Sequence, residues 1–255
     1  MSKARYVTGL RAVEQLLQGR GGEIRRIFAE YKTANPRVEA VISQASDRGI
    51  DIQPANRARL VQISGESRHQ GVVAEIARSS VLDEGGLRSL VEGRLTEGEG
   101  SPLLLLILDG IQDPHNLGAC LRTADAAGVD AVVVPRHGAA GLGPTVSKVA
   151  AGAAELLNFA AVPNISRVLG WIQEYGVVIV GTSDTAGQSL YECDLAGPIA
   201  LVMGREDKGL RKSIIGRCDQ LGSLPMAGEV SSLNVSVATG ICLYEVVRQR
   251  GAKNG

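Results

Sequence analysis

Short runs of consecutive apolar residues recur along the chain from residue 103 onward, and they limit the folds that this region can adopt. Each run is four to six residues long and consists mainly of aliphatic residues. Strands buried on both faces have this composition, which is typical of a parallel sheet covered by helices. The predicted strands span 103–108, 131–134, 177–180 and 199–203. A further strand at 221–224 and a helix at 233–250 complete the predicted α/β domain.

The first 78 residues alternate helical and strand patterns, which predicts a smaller α/β unit. Its predicted strands span 24–29, 50–52 and 72–76, and its helical stripes are Leu10, Val13, Leu16 and Leu17, then Val38, Val41, Ile42 and Ala45. Residues 79–101 carry five acidic residues and five glycines, which is typical of a flexible linker, with a short helix at 87–95. The predicted organisation is a domain at 1–78, a linker at 79–101 and a second domain at 102–255.

The formal charge is zero, with 27 Lys and Arg against 27 Asp and Glu, but the charge is unevenly distributed. Residues 1–80 hold 13 basic and 8 acidic side chains. A basic first domain predicts an anionic partner such as nucleic acid, and it is equally consistent with a solvated surface without a partner. Aromatic residues are only 3% of the chain, which argues against RNA bases stacking on an aromatic sheet.

Neither a membrane span nor a metal site is expected. The longest apolar run has six residues, whereas a membrane helix needs ~20. No apolar signal stretch follows Met1, so we expect a soluble, unexported, cytoplasmic protein. The cysteines form no C-x-x-C pair and the three histidines lack metal-ligand spacing, which predicts buried free thiols in a reducing compartment and no metal.

In an open parallel sheet, ligands bind at loops that follow the carboxyl ends of strands, and four segments here are candidates. In the first, at 109–128, Asp113 and Pro114 resemble the N-cap and first residue of a helix. Arg122 lies beside the apolar stripe of that helix, so it either contacts a ligand or is a solvated charge. Asn116 either belongs to a site or completes the helix cap.

The second segment, at 204–210, contains Gly204 and Gly209. These glycines either permit close approach of the backbone to a ligand or form a tight turn between a strand and a helix. The segment matches neither the P-loop nor G-x-G-x-x-G, and the lack of the latter argues against a nicotinamide-dependent oxidoreductase.

The third segment, at 224–236, leads into the last helix, where Ser231 or Ser232 is the expected cap. A serine and asparagine cluster at a helix start also forms a polar, donor-rich pocket. The expected buried face of the helix consists of Leu233, Val237, Ile241, Tyr244 and Val247. The fourth segment, at 181–187, is a small polar loop of a kind that can face a nucleoside.

Three of these segments, taken in order, resemble the SpoU (TrmH) family of SPOUT methyltransferases. The family pattern N-x-G-x-x-x-R is met by Asn116, Gly118 and Arg122, and G-x-E-x-x-G is met by Gly204, Glu206 and Gly209; S-L-N-V-S is met by residues 232–236. The strings DPHNLGACLRTADAAG and PMAGEVSSLNVSVATGICLYE are similar to the bacterial branch that methylates a guanosine ribose in 23S ribosomal RNA. The first domain, with its string HQG at 69–71, resembles an L30e-like RNA substrate-binding domain.

The resemblance implies a SPOUT parallel sheet with a deep trefoil knot, S-adenosylmethionine bound in the knot loops, and a homodimer whose sites draw on both subunits. On this basis the cofactor-binding residues are Gly204, Gly209, Leu224, Met226 and Leu233, with Thr182 and Ser183 as further candidates. The implied substrate is 23S rRNA, free or in an assembling ribosomal particle. A tRNA 2′-O-ribose methyltransferase and a non-catalytic RNA-binding protein are the alternatives.

The resemblance also implies catalytic roles. A ribose 2′-hydroxyl is a weak acid and a poor nucleophile when neutral, so its alkoxide must be favoured. Arg122 is the family's candidate, and it either stabilises the developing oxyanion beside an RNA phosphate or removes the proton itself. Arginine is protonated at ordinary pH, and the sequence leaves both roles open. Asn116 and Asn234 would orient Arg122 and the ribose; Glu206 would orient neighbouring donors, and Ser232 would position the target nucleotide.

Overall fold

A computed structural model describes residues 5–20, 24–30, 35–65, 69–76, 81–97 and 101–253. The chain divides into two units, Met1–Ser80 and Val81–Gly255. Each unit contains its own β-sheet and its own buried apolar residues.

The first unit is a mixed four-stranded sheet with three described helices. Its strands are β1 (Arg5–Thr8), β2 (Ile24–Glu30), β3 (Asp51–Ala55) and β4 (Val72–Ile76), and its helices are α1 (Leu10–Arg20), α2 (Pro36–Asp47) and α3 (Arg57–Ser64). The strand order is β1-β4-β2-β3, with β4 antiparallel to both neighbours and β2 parallel to β3. The sequence did not predict β1 or α3, because both are short and have weak apolar periodicity.

The second unit is built on a seven-stranded sheet of parallel strand pairs. The strands are β5 (Leu104–Leu108), β6 (Ala131–Pro135), β7 (Asn158–Val162), β8 (Val178–Thr182), β9 (Gln188–Ser189), β10 (Ile199–Met203) and β11 (Gln220–Ser223). Their order is β7-β6-β5-β10-β8-β11-β9. Strands β5 and β10 lie side by side and are buried along their whole length, which confirms the prediction from the apolar runs.

Helices cover both faces of this sheet. The first face carries α5 (Pro114–Ala126), α6 (Pro144–Ala150), α7 (Ala153–Leu156) and α10 (Val235–Lys253). The second face carries α4 (Glu84–Glu97), α8 (Ile165–Glu174) and α9 (Lys212–Ile215). The α/β class expected from the sequence is confirmed.

The segment predicted as a linker contains the helix expected at 87–95, which extends over Glu84–Glu97 and packs into the second unit. Residue Leu82 forms a parallel bridge with Ala160 of β7, so it extends the second sheet. Helix α4 follows directly, and its Leu87 and Val91 are fully buried in the core of the second unit. Glu84, Gly85, Gly86, Glu92 and Gly93 all lie within this packed helix, although their composition alone suggests a linker. Residues 79–80 and 98–100 of the predicted linker lie outside the described part of the chain.

Helix α10 buries a different face from the one that the sequence suggested. Val237, Tyr244 and Val247 are exposed, at 51%, 53% and 40%. The face that packs on the sheet and on α5 instead carries Val235, Thr239, Cys242, Leu243 and Val246. The helix therefore has two apolar faces, and one of them is uncovered in the single chain.

Within the described ranges, no helix has the length and apolar character needed to cross a membrane. Among these same residues, no group of three or more His, Cys, Asp or Glu is arranged to hold a metal ion. All four cysteines are free thiols, and Cys218 alone of them is only partly buried.

Candidate active site

The second sheet presents several carboxyl strand ends at one edge, because β5, β8, β10 and β11 run parallel. The loops after β8, β10 and β11 enclose a cleft of about 820 Å³. A cleft of this volume is large enough for a nucleoside-sized ligand. The observed position agrees with the general location of ligand sites in open parallel sheets.

The cleft collects the residues that the sequence proposed for cofactor binding. Its lining includes Thr182, Ser183, Gly204, Gly209, Leu224, Met226 and Leu233. Two of the residues proposed for catalysis, Glu206 and Ser232, also line it. Asn116, Arg122 and Asn234 lie outside the lining, and their positions are described next.

The loop after β10 is closed at its base by two glycines. Arg205 and Gly209 exchange a pair of backbone hydrogen bonds, each with an N–O distance of 3.0 Å. A Cβ atom on Gly204 would lie 2.3 Å from the carbonyl carbon of Gly209, so no side chain fits there. Gly209 itself has a φ of +60°, which favours glycine. The two glycines thus allow the loop to close on itself, and Glu206 lies within this closed turn and lines the cleft.

Three separate segments of the sequence are joined by a chain of side-chain hydrogen bonds beside the cleft. Asn116 donates from Nδ2 to Glu206 Oε1 over 3.2 Å. Asn234 donates from Nδ2 to Asn116 Oδ1 over 3.0 Å. Asn234 Oδ1 in turn accepts from the backbone N and the Oγ of Ser236, at 2.9 and 2.6 Å. Each amide therefore has a fixed orientation, because its donor and its acceptor have different partners.

Helix α5 supplies the first segment and begins as the sequence predicted. The Asp113 side chain accepts from the backbone N of His115 over 2.9 Å, and Pro114 is the first helical residue. A Cβ on Gly118 would lie 2.7 Å from Val149 Cβ of α6, so this glycine permits close helix packing. Gly118 thus has a packing role, and Asn116 has no part in the Asp113 cap bond.

Arg122 lies on α5 but apart from the hydrogen-bonded chain. It is six residues beyond Asn116, which corresponds to about 9 Å along the helix axis and about 120° around it. Its side chain is exposed, and the neighbouring Thr123 packs against α10 at Gly240. A Cβ on Gly240 would lie 3.7 Å from the Thr123 methyl group. Arg122 is thus one residue away from the contact of α5 with α10, whereas Glu206 and Asn234 bond Asn116.

The start of α10 differs from the prediction that Ser231 or Ser232 caps the helix. The helix begins at Val235, and the capping side chain is that of Asn234, which accepts from Ser236 N. Ser232 is exposed and faces the cleft. Asn234 thus both starts the helix and holds Asn116.

The loop after β8 has most of its polar groups engaged within the protein. Thr182 donates from Oγ1 to the backbone oxygen of Val202 over 3.2 Å. Ser183 accepts at Oγ from the backbone N of Thr185, and its own backbone N donates to Gly222 O at 3.1 Å. These contacts fix the β8 loop against β10 and β11, and they leave its backbone at the cleft wall.

Two buried thiols lie behind the site. Cys120 contacts Thr239 across the interface of α5 and α10, with an Sγ–Oγ1 distance of 3.6 Å. Burial raises the pKa of Cys120 to about 11 and that of Cys242, which lines the cleft, to about 12. Both thiols are neutral at ordinary pH, so neither is an activated nucleophile.

Comparison with known families identifies this architecture. A model of the SpoU rRNA Methylase family matches residues 103–244. That range includes more than half of the chain and all three hydrogen-bonded segments. The chain belongs to the SpoU family. A second model, described as RNA 2′-O ribose methyltransferase substrate binding, matches residues 6–82.

Full-length relatives agree with the SpoU assignment. The chain is 47% identical over 253 residues to the 23S rRNA (guanosine-2′-O-)-methyltransferase RlmB of Pseudomonas putida, covering 99% of this chain and 100% of that protein. It is 48% identical to the protein of the same name from Pseudomonas aeruginosa, with 98% of each chain covered. The crystal structure of an AdoMet-bound rRNA methyltransferase from Sinorhizobium meliloti is 26% identical, with a TM-score of 0.67 over 96% of this chain and 87% of that one.

The sequence analysis did not single out two charged residues next to the loops of the cleft, Asp109 and Arg211. Asp109 follows β5, and Arg211 follows the loop at 204–209. Their side chains form an ion pair although 102 positions separate them. No spacing pattern in the sequence links an aspartate and an arginine so far apart.

Proposed function

We propose that this chain is an S-adenosylmethionine-dependent methyltransferase that methylates the 2′-hydroxyl of a guanosine ribose in 23S rRNA. The observation that carries the proposal is the hydrogen-bonded chain from Ser236 through Asn234 and Asn116 to Glu206. It joins the three family motifs at the edge of one cleft. The full-length identity to enzymes named for this reaction supports the choice of substrate.

The cleft has the chemistry that S-adenosylmethionine requires. Leu224, Met226 and Leu233 provide apolar surface for an adenine ring, and the adjoining backbone offers hydrogen-bond groups. The carboxylates of Asp184 and Glu206 also line the cleft and complement the positive charges of a sulfonium and an amino group. When bound, the cofactor supplies a methyl group that its sulfonium already activates.

The protein's own residues would then orient the ribose and favour its alkoxide. Arg122 carries a permanent positive charge that stabilises a developing 2′-oxyanion or holds an adjacent phosphate. Asn116 and Asn234 present fixed amides at the edge of the cleft, and Glu206 holds the first of them. Ser232 faces the same cleft from the loop before α10. Alignment of the ribose 2′-oxygen with the cofactor's methyl group, in a site that excludes water, would provide most of the rate acceleration.

We also propose a homodimer that places Arg122 against the cleft of the partner subunit. The uncovered apolar face of α10 supports it, since Val237, Tyr244 and Val247 are exposed. Arg122 is next in sequence to Thr123, which lies against α10 at Gly240. A second copy seated on α10 would therefore bring its own surface to Arg122, which has no contact with Glu206 within one chain.

The first unit is proposed to hold the RNA, in line with the substrate-binding model that matches residues 6–82. A cytoplasmic location follows from the proposed substrate, since 23S rRNA is made and assembled there. The trefoil knot remains part of this proposal. The position of β10 between β5 and β8 is compatible with a chain that returns through the sheet.

The test is transfer of labelled methyl groups from S-adenosylmethionine to 23S rRNA and, in parallel, to tRNA. We expect label on a guanosine 2′-oxygen of 23S rRNA. Mapping of 2′-O-methyl sites in cells with and without the gene should show one guanosine that loses its mark. Label confined to tRNA would favour the tRNA alternative, and label on a base atom would contradict ribose methylation. Binding of RNA without any transfer would favour a non-catalytic protein.

A further inference from the structure

Asp109 and Arg211 form a bidentate ion pair at the edge of the sheet, beneath the loop that follows β10. Arg211 donates from Nε to Asp109 Oδ2 over 3.0 Å, and its terminal nitrogen bonds Oδ1. The Asp109 side chain is fully buried, whereas that of Arg211 is 53% exposed. The Asp109 backbone N also donates to Met203 O at 2.9 Å, which fixes the carboxylate at the junction of β5 and β10.

The ion pair lies at the far end of the same loop that Gly204 and Gly209 close. Arg211 follows that closed turn and directly precedes α9. The loop is therefore held at two places, namely by the backbone pair between Arg205 and Gly209 and by Arg211 on Asp109. A segment fixed at two places has few conformations left, which favours one arrangement of its cleft-facing backbone.

The same loop meets the segment between β5 and α5 at further points. A Cβ on Gly110 would lie 3.3 Å from Arg205 Cγ, so the loop packs directly over this glycine. Farther along, Glu206 accepts from Asn116. Contacts at positions 109, 110 and 116 thus connect the two motif segments, and the contact at 109 is the one in which both partners are charged.

A buried carboxylate is an expensive way to stabilise a fold, because desolvation offsets most of the attraction within the pair. An apolar contact would anchor the loop as well, and the neighbouring Leu210 already provides one at 8% exposed. A bidentate guanidinium on a carboxylate adds a defined direction, which an apolar contact does not. The ion pair is therefore suited to fixing the orientation of the loop at 204–211.

We propose that Asp109 and Arg211 are positioning residues for the methyl-transfer site, holding the loop at 204–211 in the form that receives the cofactor and keeps Glu206 at Asn116. This inference rests on the proposed function where it concerns the cofactor. Its structural part, the ordering of the loop, applies to the ligand-free protein as well.

The test compares Arg211→Met, Asp109→Asn and the double variant in the full-length protein. Arg211→Met leaves a buried carboxylate without a partner, so its Tm should fall. The double variant has a neutral amide at position 109 and no buried charge, so its Tm should return toward that of the wild type. S-adenosylmethionine binding, measured by calorimetry, should be at least 10-fold weaker than in the wild type both in Arg211→Met and in the double variant. Arg211→Lys, which keeps the charge but not the fork, should bind with intermediate affinity.

Amide hydrogen exchange of residues 204–211 in the ligand-free protein provides an independent readout. Exchange should be slow in the wild type and faster in the double variant, even where Tm has recovered. Arg217→Met is the matched control, since this exposed arginine also follows the loop but does not line the cleft. It should leave affinity and exchange unchanged.

A double variant with wild-type affinity and wild-type exchange would overturn the positioning role and leave a purely stabilising one. A wild-type protein that binds no S-adenosylmethionine would contradict the proposed function. The exchange comparison would still decide the role of the pair, because faster exchange supports it and equal rates refute it.

Discussion

Asn234 donates a 3.0 Å hydrogen bond to Asn116 although 118 positions separate them in the sequence. The bond joins the first turn of one helix to the cap of another, at the edge of the cleft. Both amides have a second partner, since Asn116 donates to Glu206 and Asn234 accepts from Ser236. The side-chain amides of Asn116 and Asn234 therefore fix each other's orientation.

Asn234→Ala should reduce methyl transfer by ~10–100-fold, because Asn116 and Glu206 lose their fixed orientation. It should also cost ~1 kcal/mol in stability through loss of the α10 cap. Asn164→Ala is the matched control, since Asn164 caps α8 through a 3.1 Å bond to Arg167 N. The control should show the stability loss alone in denaturant unfolding. Equal rates in the two variants would remove Asn234 from the site.

Arg122→Ala should lower the rate by ~10²–10³-fold while leaving S-adenosylmethionine affinity unchanged, as expected for a group that stabilises developing charge. Single-turnover kinetics and calorimetry measure the two effects separately. Arg136→Ala removes another exposed arginine of the same unit, one that does not line the cleft, and should turn over normally. A variant at position 122 with undiminished turnover would contradict the catalytic role.

Gly204→Ala should weaken cofactor binding at least 10-fold, because its Cβ would overlap the Gly209 carbonyl carbon at 2.3 Å. Overpacking of this kind costs ~1–3 kcal/mol in stability. Gly216→Ala is the control, since a Cβ there meets only Lys212 O at 3.6 Å and the φ of −67° suits alanine. Thermal unfolding and calorimetry of both variants provide the measurement. Wild-type affinity in the Gly204 variant would show that the loop can open.

Stability should fall above about pH 9 because of the buried thiols. The pKa of Cys120 is raised from 9.0 to about 11, and that of Cys242 from 9.0 to about 12, mainly by burial. Between these values the unfolded chain has released thiol protons that the folded chain retains, so rising pH favours unfolding. Each thiol should account for about 1 kcal/mol between pH 8 and pH 10.

Urea unfolding at the two pH values, for the wild type and Cys120→Ala, provides the measurement. The variant should lose less stability on the change to pH 10. Its cavity costs the same at both pH values and therefore cancels from the comparison. Identical losses in the two proteins would show that Cys120 titrates normally when folded.

The uncovered face of α10 should hold a second subunit. A charge on it, as in Val237→Asp with Val247→Asp, should convert a dimer to a monomer and reduce methyl transfer. Light scattering and the labelled-methyl assay measure both effects. Val61→Asp charges another exposed apolar residue, on the first unit, and should leave the mass unchanged. A wild-type monomer in solution would refute the dimer.

Strand prediction succeeded for β5 and β10, which are buried along their whole length, and missed the edge strand β7. The run at 199–203 is apolar throughout and is a central strand, whereas Asn158–Val162 begins with a polar residue and lies at the edge of the strand order. The face of α10 was assigned wrongly because a 3.6-residue period marks an apolar stripe without saying what covers it. Val237 and Tyr244 satisfy that period and are nonetheless exposed.

The candidate site was predictable as far as its motifs extend. The polar residues at 116, 206 and 234 were identified through the resemblance to the SpoU motifs, and they meet in space. The pairing of Asp109 with Arg211 was not predictable, because it depends on β10 lying beside β5. Tertiary neighbours of this kind have no local signature in a single sequence.

No Cβ fits at Gly118, because the Cβ of Val149 in α6 lies only 2.7 Å from where it would be. A motif search that gives this glycine the same weight as Asn116 does not distinguish a residue needed for helix packing from one needed in the site. A descendant that exchanged Asn116 for alanine would keep its helix contact and most of its score, yet would leave Glu206 without a tether. Comparing such sequences only at Asn116, Asn234 and Arg122 would separate chains that keep the proposed catalytic residues from chains that keep only the fold.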